Sequence, residues 1–270
     1  MHRDFTHLLL TRFNTAMGYA PSAKRLETEW LTARLALFEQ YCLPSVAGQR
    51  DADFHWLIFF DAASPAWLKA KISTLAPLVT PVYVEGQATD EALRHHVLQS
   101  GLISSPYLLT TRLDNDDAIA RGHLYEVQRA FNGQAREFVT FPRGLQSFRG
   151  HLYEVDWPSN PFLSLIEAVG NQKGITTVFC IAHDHLHKAG LVKKVRSTPQ
   201  WLQVLHTANL ANELRGGLPR HDGSSDSGFD VIWPERATND SYIRRLGFSA
   251  QAYGKRAQRA MRNAISASRR

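Results

Sequence analysis

Tyr107-Leu108-Leu109-Thr110-Thr111-Arg112-Leu113-Asp114-Asn115-Asp116-Asp117 decides the fold, because a run of strand length ends abruptly in a cluster of carboxylates. Residues 107–113 read as a strand. Working outward, three similar runs precede it. Residues 7–14 have Leu8, Leu9 and Leu10 at their centre. Residues 55–61 are near-continuously apolar, as in strands covered on both faces, and residues 80–84 form the third run. Helical patterns fall between them. Residues 26–42 carry Trp30, Leu37 and Tyr41 on one face, with Leu31, Phe38 and Cys42 beside it, and Pro44 is expected to stop the run. Ser64-Pro65 offers an N-cap and an N1 proline for a helix to about residue 75. Thr89 caps a helix through about residue 99, and residues 122–131 form the next. This alternation predicts an α/β protein with a mixed, mainly parallel sheet flanked by helices. Ligands of such sheets bind beyond the carboxyl ends of the strands. Arg12 and Asn14 end the first strand, Asp61 the second, and Asp114, Asn115, Asp116 and Asp117 the fourth.

The second half is less regular. Residues 137–141 and 152–157 read as strands joined by a turn, 160–169 as a short helix after Asn160-Pro161, and 176–182 as a strand. Residues 201–214 read as a helix ending at Gly216-Gly217, and 217–228 as a loop. There is no internal repeat. The expectation is one catalytic domain over residues 1–240, followed by a basic helical tail over 241–270.

Of the 270 residues, 44% are hydrophobic and 21% charged, the balance of a chain that buries a core. Two cysteines, Cys42 and Cys180, make no disulfide framework and suit a reducing compartment. The apolar run after Met1 is short and Asp4 interrupts it, so no secretion signal is expected and the location expected is cytoplasmic. Net charge is +6, but residues 241–270 contain no Asp or Glu and carry Arg244, Arg245, Lys255, Arg256, Arg259, Arg262, Arg269 and Arg270. That tail alone carries +8, which leaves the remainder about −2. Such a tail is either a solvated helix or a peripheral contact with an anionic membrane surface. No nucleic-acid motif accompanies it, and nucleic acid is not an expected partner.

Carboxylates as close as Asp114, Asp116 and Asp117 raise one another's pKa unless a cation neutralises them, and hard oxygen ligands suit Mg²⁺ or Mn²⁺. In an extended chain Asp114 and Asp116 point to one side, so one can reach a ribose and the other a metal. The alternative is an acidic turn whose aspartate caps a helix.

The segments His7-Leu-Leu-Leu-Thr-Arg-Phe-Asn14, Trp56-Leu-Ile-Phe-Phe-Asp61, Thr80-Pro-Val-Tyr-Val84 and Thr110-Thr-Arg-Leu-Asp-Asn-Asp-Asp117, in this order and spacing, resemble the rhamnosyltransferase family, a GT-A-fold group. The resemblance implies a GT-A-like nucleotide-diphospho-sugar transferase fold. Residues 1–142 would be the nucleotide-sugar-binding half and 143–240 the acceptor side. It further implies a dTDP- or UDP-sugar donor, a glycan or other hydroxyl acceptor, and Mn²⁺ or Mg²⁺ as cofactor. Asp61 would contact the nucleoside base, Thr11 and Arg12 would face the nucleotide, and Asn14 and Asn115 would line the site. Asp114 and Asp116 match the D-x-D, with Asp116 the metal-binding member. Asp184 matches the general base of inverting enzymes, although His183 stands where they often carry Glu. His206 matches a late ligand to metal or pyrophosphate. Arg112 is a candidate partner of the diphosphate. Each has a plainer reading: Asp184 as a helix cap, His206 as a half-buried histidine, and Arg112 as a neutraliser of the acidic cluster; Asn209 and Asn212, near His206 at helical spacing, serve either reading of it.

Two other classes compete. One is a zinc or other metal-dependent hydrolase using the alternating His183, His185 and His187, with His151, His206 and His221 nearby, although no H-E-x-x-H or Cys signature is present. The other is a non-catalytic nucleotide- or glycan-binding module. The P-loop, the dinucleotide fingerprint and the G-x-S-x-G elbow are absent, which argues against kinases, dehydrogenases and serine hydrolases.

Overall fold

The computed structural model describes residues 4–17, 24–170, 174–206, 213–215, 217–219, 228–233 and 241–267. The first half alternates as the sequence predicts. β1 (Phe5–Arg12) leads to α1 (Thr28–Leu37) and α2 (Leu43–Ala47). β2 (His55–Asp61), α3 (Ala66–Ser73), β3 (Val79–Val84), α4 (Asp90–Gln99) and β4 (Tyr107–Arg112) follow. Then come the two-residue β5 (Ala118–Ile119) and α5 (His123–Arg129). β3, β2, β1 and β4 lie side by side and parallel.

Both faces of these strands are covered. Leu9, Trp56, Ile58 and Phe60 pack against Leu31 and Phe38, Leu68 and Ile72, and Leu124 and Val127 on one side. Leu8, Leu10, Leu57 and Phe59 pack against Leu93 and Val97 of α4 on the other. Successive strand residues point to opposite faces, so only near-continuous apolar runs satisfy both layers.

Pro44 does not stop the first helix. A proline inside a helix loses one hydrogen bond and clashes with the carbonyl four residues back, at a cost of about 3 kcal/mol. Here one wide turn, Phe38–Cys42, intervenes, and Leu43 N–H reaches back to Phe38 O. The released Gln40 carbonyl accepts from Ile232 N–H (2.9 Å), and Gln40 Nε2 donates to Ile232 O (3.0 Å). The chain therefore stays helical to Ala47. Pro65, rather than Ser64, occupies the N-cap of α3, because the Ser64 hydroxyl pairs with Asn14. Thr89 caps α4 as expected, accepting from Ala92 N–H (3.2 Å).

The second half departs further. β6 (Arg136–Thr140) is followed by an unexpected strand, β7 (Arg143–Phe148), hairpinned to β8 (His151–Asp156). The expected helix over 160–169 is instead β9 (Ser164–Ala168), antiparallel between β4 and β6. The Asn160 amide does not cap a helix. It donates to Phe141 O (2.9 Å) and Trp157 O (2.8 Å) and accepts from Phe162 N–H (3.0 Å), which fixes a turn into the sheet. The expected strand over 176–182 is a short 3₁₀ turn, Val178–Cys180. Buried Glu167 pins its start, accepting from Thr176 N–H (3.0 Å) and Thr177 N–H (2.9 Å). A second 3₁₀ turn, His183–Lys188, leads to β10 (Val192–Lys194). The expected helix over 201–214 begins as β11 (Trp201–Leu205), parallel to β7. Residues 207–212, with Asn209 and Asn212, lie outside the described residues, as do His221 and most of the loop over 217–228.

The first sheet thus has the order β10-β6-β9-β4-β1-β2-β3, in which only β9 runs against its neighbours. The second, with β12 (Leu218–Pro219), has the order β12-β8-β7-β11-β5. Trp201 is fully buried where the two meet, stacked on Phe162 at 5.1 Å, and Gly144 leaves room for its ring. The tail forms α6 (Tyr242–Ala267), seated beside β12 through buried Arg245 and a Ser249 hydroxyl that donates to Gly217 O. Among the described residues no helix is long and apolar enough to cross a membrane.

Candidate functional site

The polar ends of β1, β2 and β4 converge because the three strands are parallel neighbours. Asn115 ties them together: its Nδ2 donates to Arg12 O (3.1 Å) and Phe13 O (2.7 Å). Asn14 does the same one strand over, accepting from Asp61 N–H (3.1 Å) and donating to Ser64 Oγ (3.0 Å). Both are buried, and both shape the site rather than face into it.

Asp114 and Asp116 each have an arginine. Asp114 receives Arg112 Nη2 on Oδ2 (2.8 Å) and Arg112 Nε on Oδ1 (3.2 Å), with Arg12 Nη2 at 4.0 Å. Burial pushes its pKa up, but the Arg112 and Arg12 charges outweigh that and hold it at about 2. Arg112 therefore neutralises Asp114 from the same strand. Asp116 Oδ2 receives Arg34 Nη1 (2.6 Å) and lies 2.9 Å from His206 Nε2. Asp117 is buried and accepts from Val204 N–H (2.9 Å), and burial followed by Asp116 and Asp114 pushes its carboxyl well above the usual range. It anchors β11, and with it His206, to the cluster. Guanidinium groups from α1, β1 and β4 offset the charges of Asp114 and Asp116, while buried Asp117 still feels both.

Two expected positions differ. Thr11 is fully buried, and its hydroxyl accepts from the Trp56 indole N–H (3.0 Å), which keeps it from facing a nucleotide. Asp61 is buried with both oxygens engaged: Oδ2 by Arg25 Nε and Nη2 (2.8 Å each), Oδ1 by Ala63 N–H (2.8 Å). Arg25 and Arg34 carry no local signal in the sequence, because each meets its carboxylate only through the fold.

Asp184 is exposed, and its neighbour His183 turns inward. The His183 ring stands edge-on to Trp157 (5.4 Å) and interacts electrostatically with Arg112, Asp184 and Asp114. Its Nδ1 lies 2.9 Å from Ser159 O, and a carbonyl only accepts, so Nδ1 carries the proton and the lone pair is on Nε2. Burial lowers its pKa and keeps the ring neutral. Because residues 183–188 form a 3₁₀ turn, His183, His185 and His187 do not share one face as the hydrolase reading needs. Among the described residues no three His, Cys, Asp or Glu side chains are gathered to enclose a metal. Asp116 and His206 bring together one carboxylate oxygen and one imidazole nitrogen, of which the carboxylate is the donor type that suits Mn²⁺ or Mg²⁺.

A mainly parallel α/β sheet with Asp114-Asn115-Asp116 at the end of β4 is the architecture of a GT-A-like fold. The model of the family described as "Putative rhamnosyl transferase" matches residues 7–218, and the chain belongs to that glycosyltransferase family. No curated protein matches the chain. Among solved structures it is similar to S. aureus TarS 1-349 in complex with UDP, at 8% identity and a TM-score of 0.45. The match covers 74% of this chain and 60% of that one, so this chain spans less than two thirds of TarS 1-349. It is also similar to HddC from Yersinia pseudotuberculosis, at 9% identity and a TM-score of 0.38, over 73% of this chain and 93% of that one.

Proposed function

We propose that the protein transfers a glycosyl unit from a nucleotide-diphospho-sugar, a dTDP- or UDP-sugar, to a hydroxyl acceptor on a glycan or glycoconjugate. The observation that carries this reading is the meeting of His206 with Asp116 at 2.9 Å, across 90 residues of sequence, beyond the carboxyl end of β4. Arg12 and Arg112 line the same end and supply positive charge for a diphosphate. Asp116 and His206 would hold Mn²⁺ or Mg²⁺, which when bound supplies further charge against the departing nucleotide. A calorimetric titration with UDP, dTDP and GDP, each with and without Mn²⁺, tests the reading. Binding of one nucleotide, strengthened by Mn²⁺, is expected; binding of none by the folded protein overturns it.

The acceptor hydroxyl must lose a proton as its oxygen bonds to the sugar and the sugar–phosphate bond breaks. His183 Nε2 is the neutral base beside the Asp114–Arg112 pair and takes that proton, in place of exposed Asp184. His183→Gln is expected to lower kcat by about a hundredfold or more, and Asp184→Asn by less than about threefold. The reverse order in single-turnover transfer assays would restore Asp184 as the base.

The tail reads as a peripheral membrane contact at a cytoplasmic face. Ile243, Leu246, Tyr253 and Met261 are exposed along one stripe of α6 at helical spacing, beside Arg244 and without any acidic residue. Each basic side chain near an anionic surface adds about 1 kcal/mol. Co-sedimentation with phosphatidylglycerol vesicles is expected for the wild type and is expected to fall at least about tenfold in Ile243→Glu/Tyr253→Glu. Equal sedimentation of both proteins would leave α6 as a solvated helix.

A further inference from the structure

Between the end of the second sheet and α6 lies a cavity of about 660 Å³, lined among others by Phe148, Arg149, Leu205, His206, Phe248 and Lys255. That volume suits a sugar chain of a few units rather than a single ion. One wall is His206, whose Nε2 lies 2.9 Å from Asp116, so the cavity and the carboxylate centre share that side chain.

Arg149 is built into this wall in an unusual way. Phe148 pairs with His151 across the β7–β8 hairpin, so the turn is the two residues Arg149 and Gly150, with φ 52° and 73°. Turns with two positive φ angles favour Asn-Gly or Gly-Gly. Arginine there accepts a strained backbone, and its side chain shows what the position provides. The guanidinium centre lies 5.3 Å from the Phe148 ring and 4.9 Å from the Phe248 ring, and these two rings meet edge to face at 5.9 Å. A guanidinium held by its face on aromatic rings keeps its edge for a planar or tetrahedral anion. Lys255, about two α6 turns beyond Phe248 along the same cavity, adds a second positive charge, and among the described residues Glu213 is the lining's one carboxylate. The aromatic rings supply an apolar wall of the kind against which a sugar ring lies.

We propose that this cavity seats the acceptor, and that the acceptor is an acidic sugar, bearing a carboxylate or a phosphate that Arg149 and Lys255 hold while its hydroxyl lies toward His206. The proposal rests on the glycosyltransferase reading above and names its acceptor class. It also gives α6 a part in the acceptor site, because Phe248 and Lys255 belong to that helix.

The test titrates the full chain with trigalacturonate, with glucose 6-phosphate and with neutral maltotriose, in the wild type and in Arg149→Gln/Lys255→Gln. A Mn²⁺–UDP titration of each protein runs in parallel. At least one acidic sugar is expected to bind the wild type at least tenfold more tightly than maltotriose does, and at least tenfold more tightly than it binds the double variant, with nucleotide binding equal in the two proteins. Preference for trigalacturonate assigns the anion to a carboxylate, and preference for glucose 6-phosphate assigns it to a phosphate; either supports the proposal. Equal affinity for maltotriose, binding unchanged in the double variant, or no binding of either acidic sugar overturns it. Charge-dependent sugar binding without nucleotide binding would keep the acidic-sugar site and overturn the donor reading, so the two failures are separate.

Discussion

Asp116→Asn is expected to lower sugar transfer by at least a factor of about 10², and to remove the Mn²⁺-dependent part of nucleotide binding. The substitution keeps the size of the side chain and one acceptor oxygen, so the surrounding packing survives. It removes the negative charge on which Arg34 (2.6 Å) and His206 (2.9 Å) converge. A divalent cation on this centre depends on a charged oxygen, and a neutral amide oxygen is a far weaker ligand for a hard ion. Asp114→Asn is the informative companion. The Asp114 carboxylate is already committed to Arg112, and its pKa of about 2 keeps it ionised at every working pH. Its loss should disturb the placement of Arg112 and so weaken nucleotide binding with and without Mn²⁺ alike. Calorimetry on the two variants, with circular dichroism to show both are folded, separates the roles. An Asp116→Asn protein that binds Mn²⁺ and nucleotide as the wild type does would remove the D-x-D from the metal reading.

Where the sequence was legible, the reason is that one physical signal dominated. The buried parallel strands have to be apolar on both faces, so β1, β2 and β4 announce themselves, and the polar residues at their ends are conspicuous against them. Thr89 announces α4 because a single hydroxyl and a single N–H decide it. The second half was misread where two signals were equal. Residues 161–167 are buried on every side, and a short apolar run of that kind has no period with which to choose helix or strand. The choice fell to Asn160, whose amide reaches Phe141 and Trp157 instead of a helix N-terminus, a tertiary contact that no local pattern contains. The same holds for β11, which is a strand because β7 lies beside it.

The site divides in the same manner. The carboxylates were visible as a cluster in sequence, and His206 by resemblance. Their counter-charges were not visible, because Arg25 and Arg34 come from chain 36 and 82 residues away from their partners. Crowded aspartates need counter-charge, and Arg112 and Arg34 supply it to Asp114 and Asp116. His183 stands where the motif often carries Glu, and its tautomer is fixed by Ser159 O, a contact 24 residues away in the chain.

Arg34→Met is expected to destabilise the protein by about 3 kcal/mol, and Mn²⁺ alone is expected to restore most of that loss. The Asp116 side chain is 11% exposed and that of Arg34 15%, so the pair is close to buried. Removing one partner of a buried ion pair costs about 3–5 kcal/mol, since the remaining charge is left without compensation. Methionine keeps much of the stem that crosses Trp30, where the guanidinium lies 5.0 Å from the ring, so lost packing contributes less than lost charge. His206 remains 2.9 Å from Asp116 and offsets part of the loss, which places the expected value at the low end. A cation that binds Asp116 and His206 takes over the role of the guanidinium. At a free concentration of about a hundred times its Kd it stabilises the folded state by about 2.7 kcal/mol. The double variant Arg34→Met/Asp116→Asn should be less destabilised than the sum of its parts, because no uncompensated carboxylate remains, and Mn²⁺ should leave it unchanged. Urea denaturation of the four proteins with and without Mn²⁺ measures all of this without a donor, an acceptor or an assay. If Mn²⁺ stabilises the single and the double variant equally, the ion binds elsewhere. If it stabilises neither, Asp116 is held by arginine and histidine alone, and the donor diphosphate must meet its positive charge in Arg12 and Arg112.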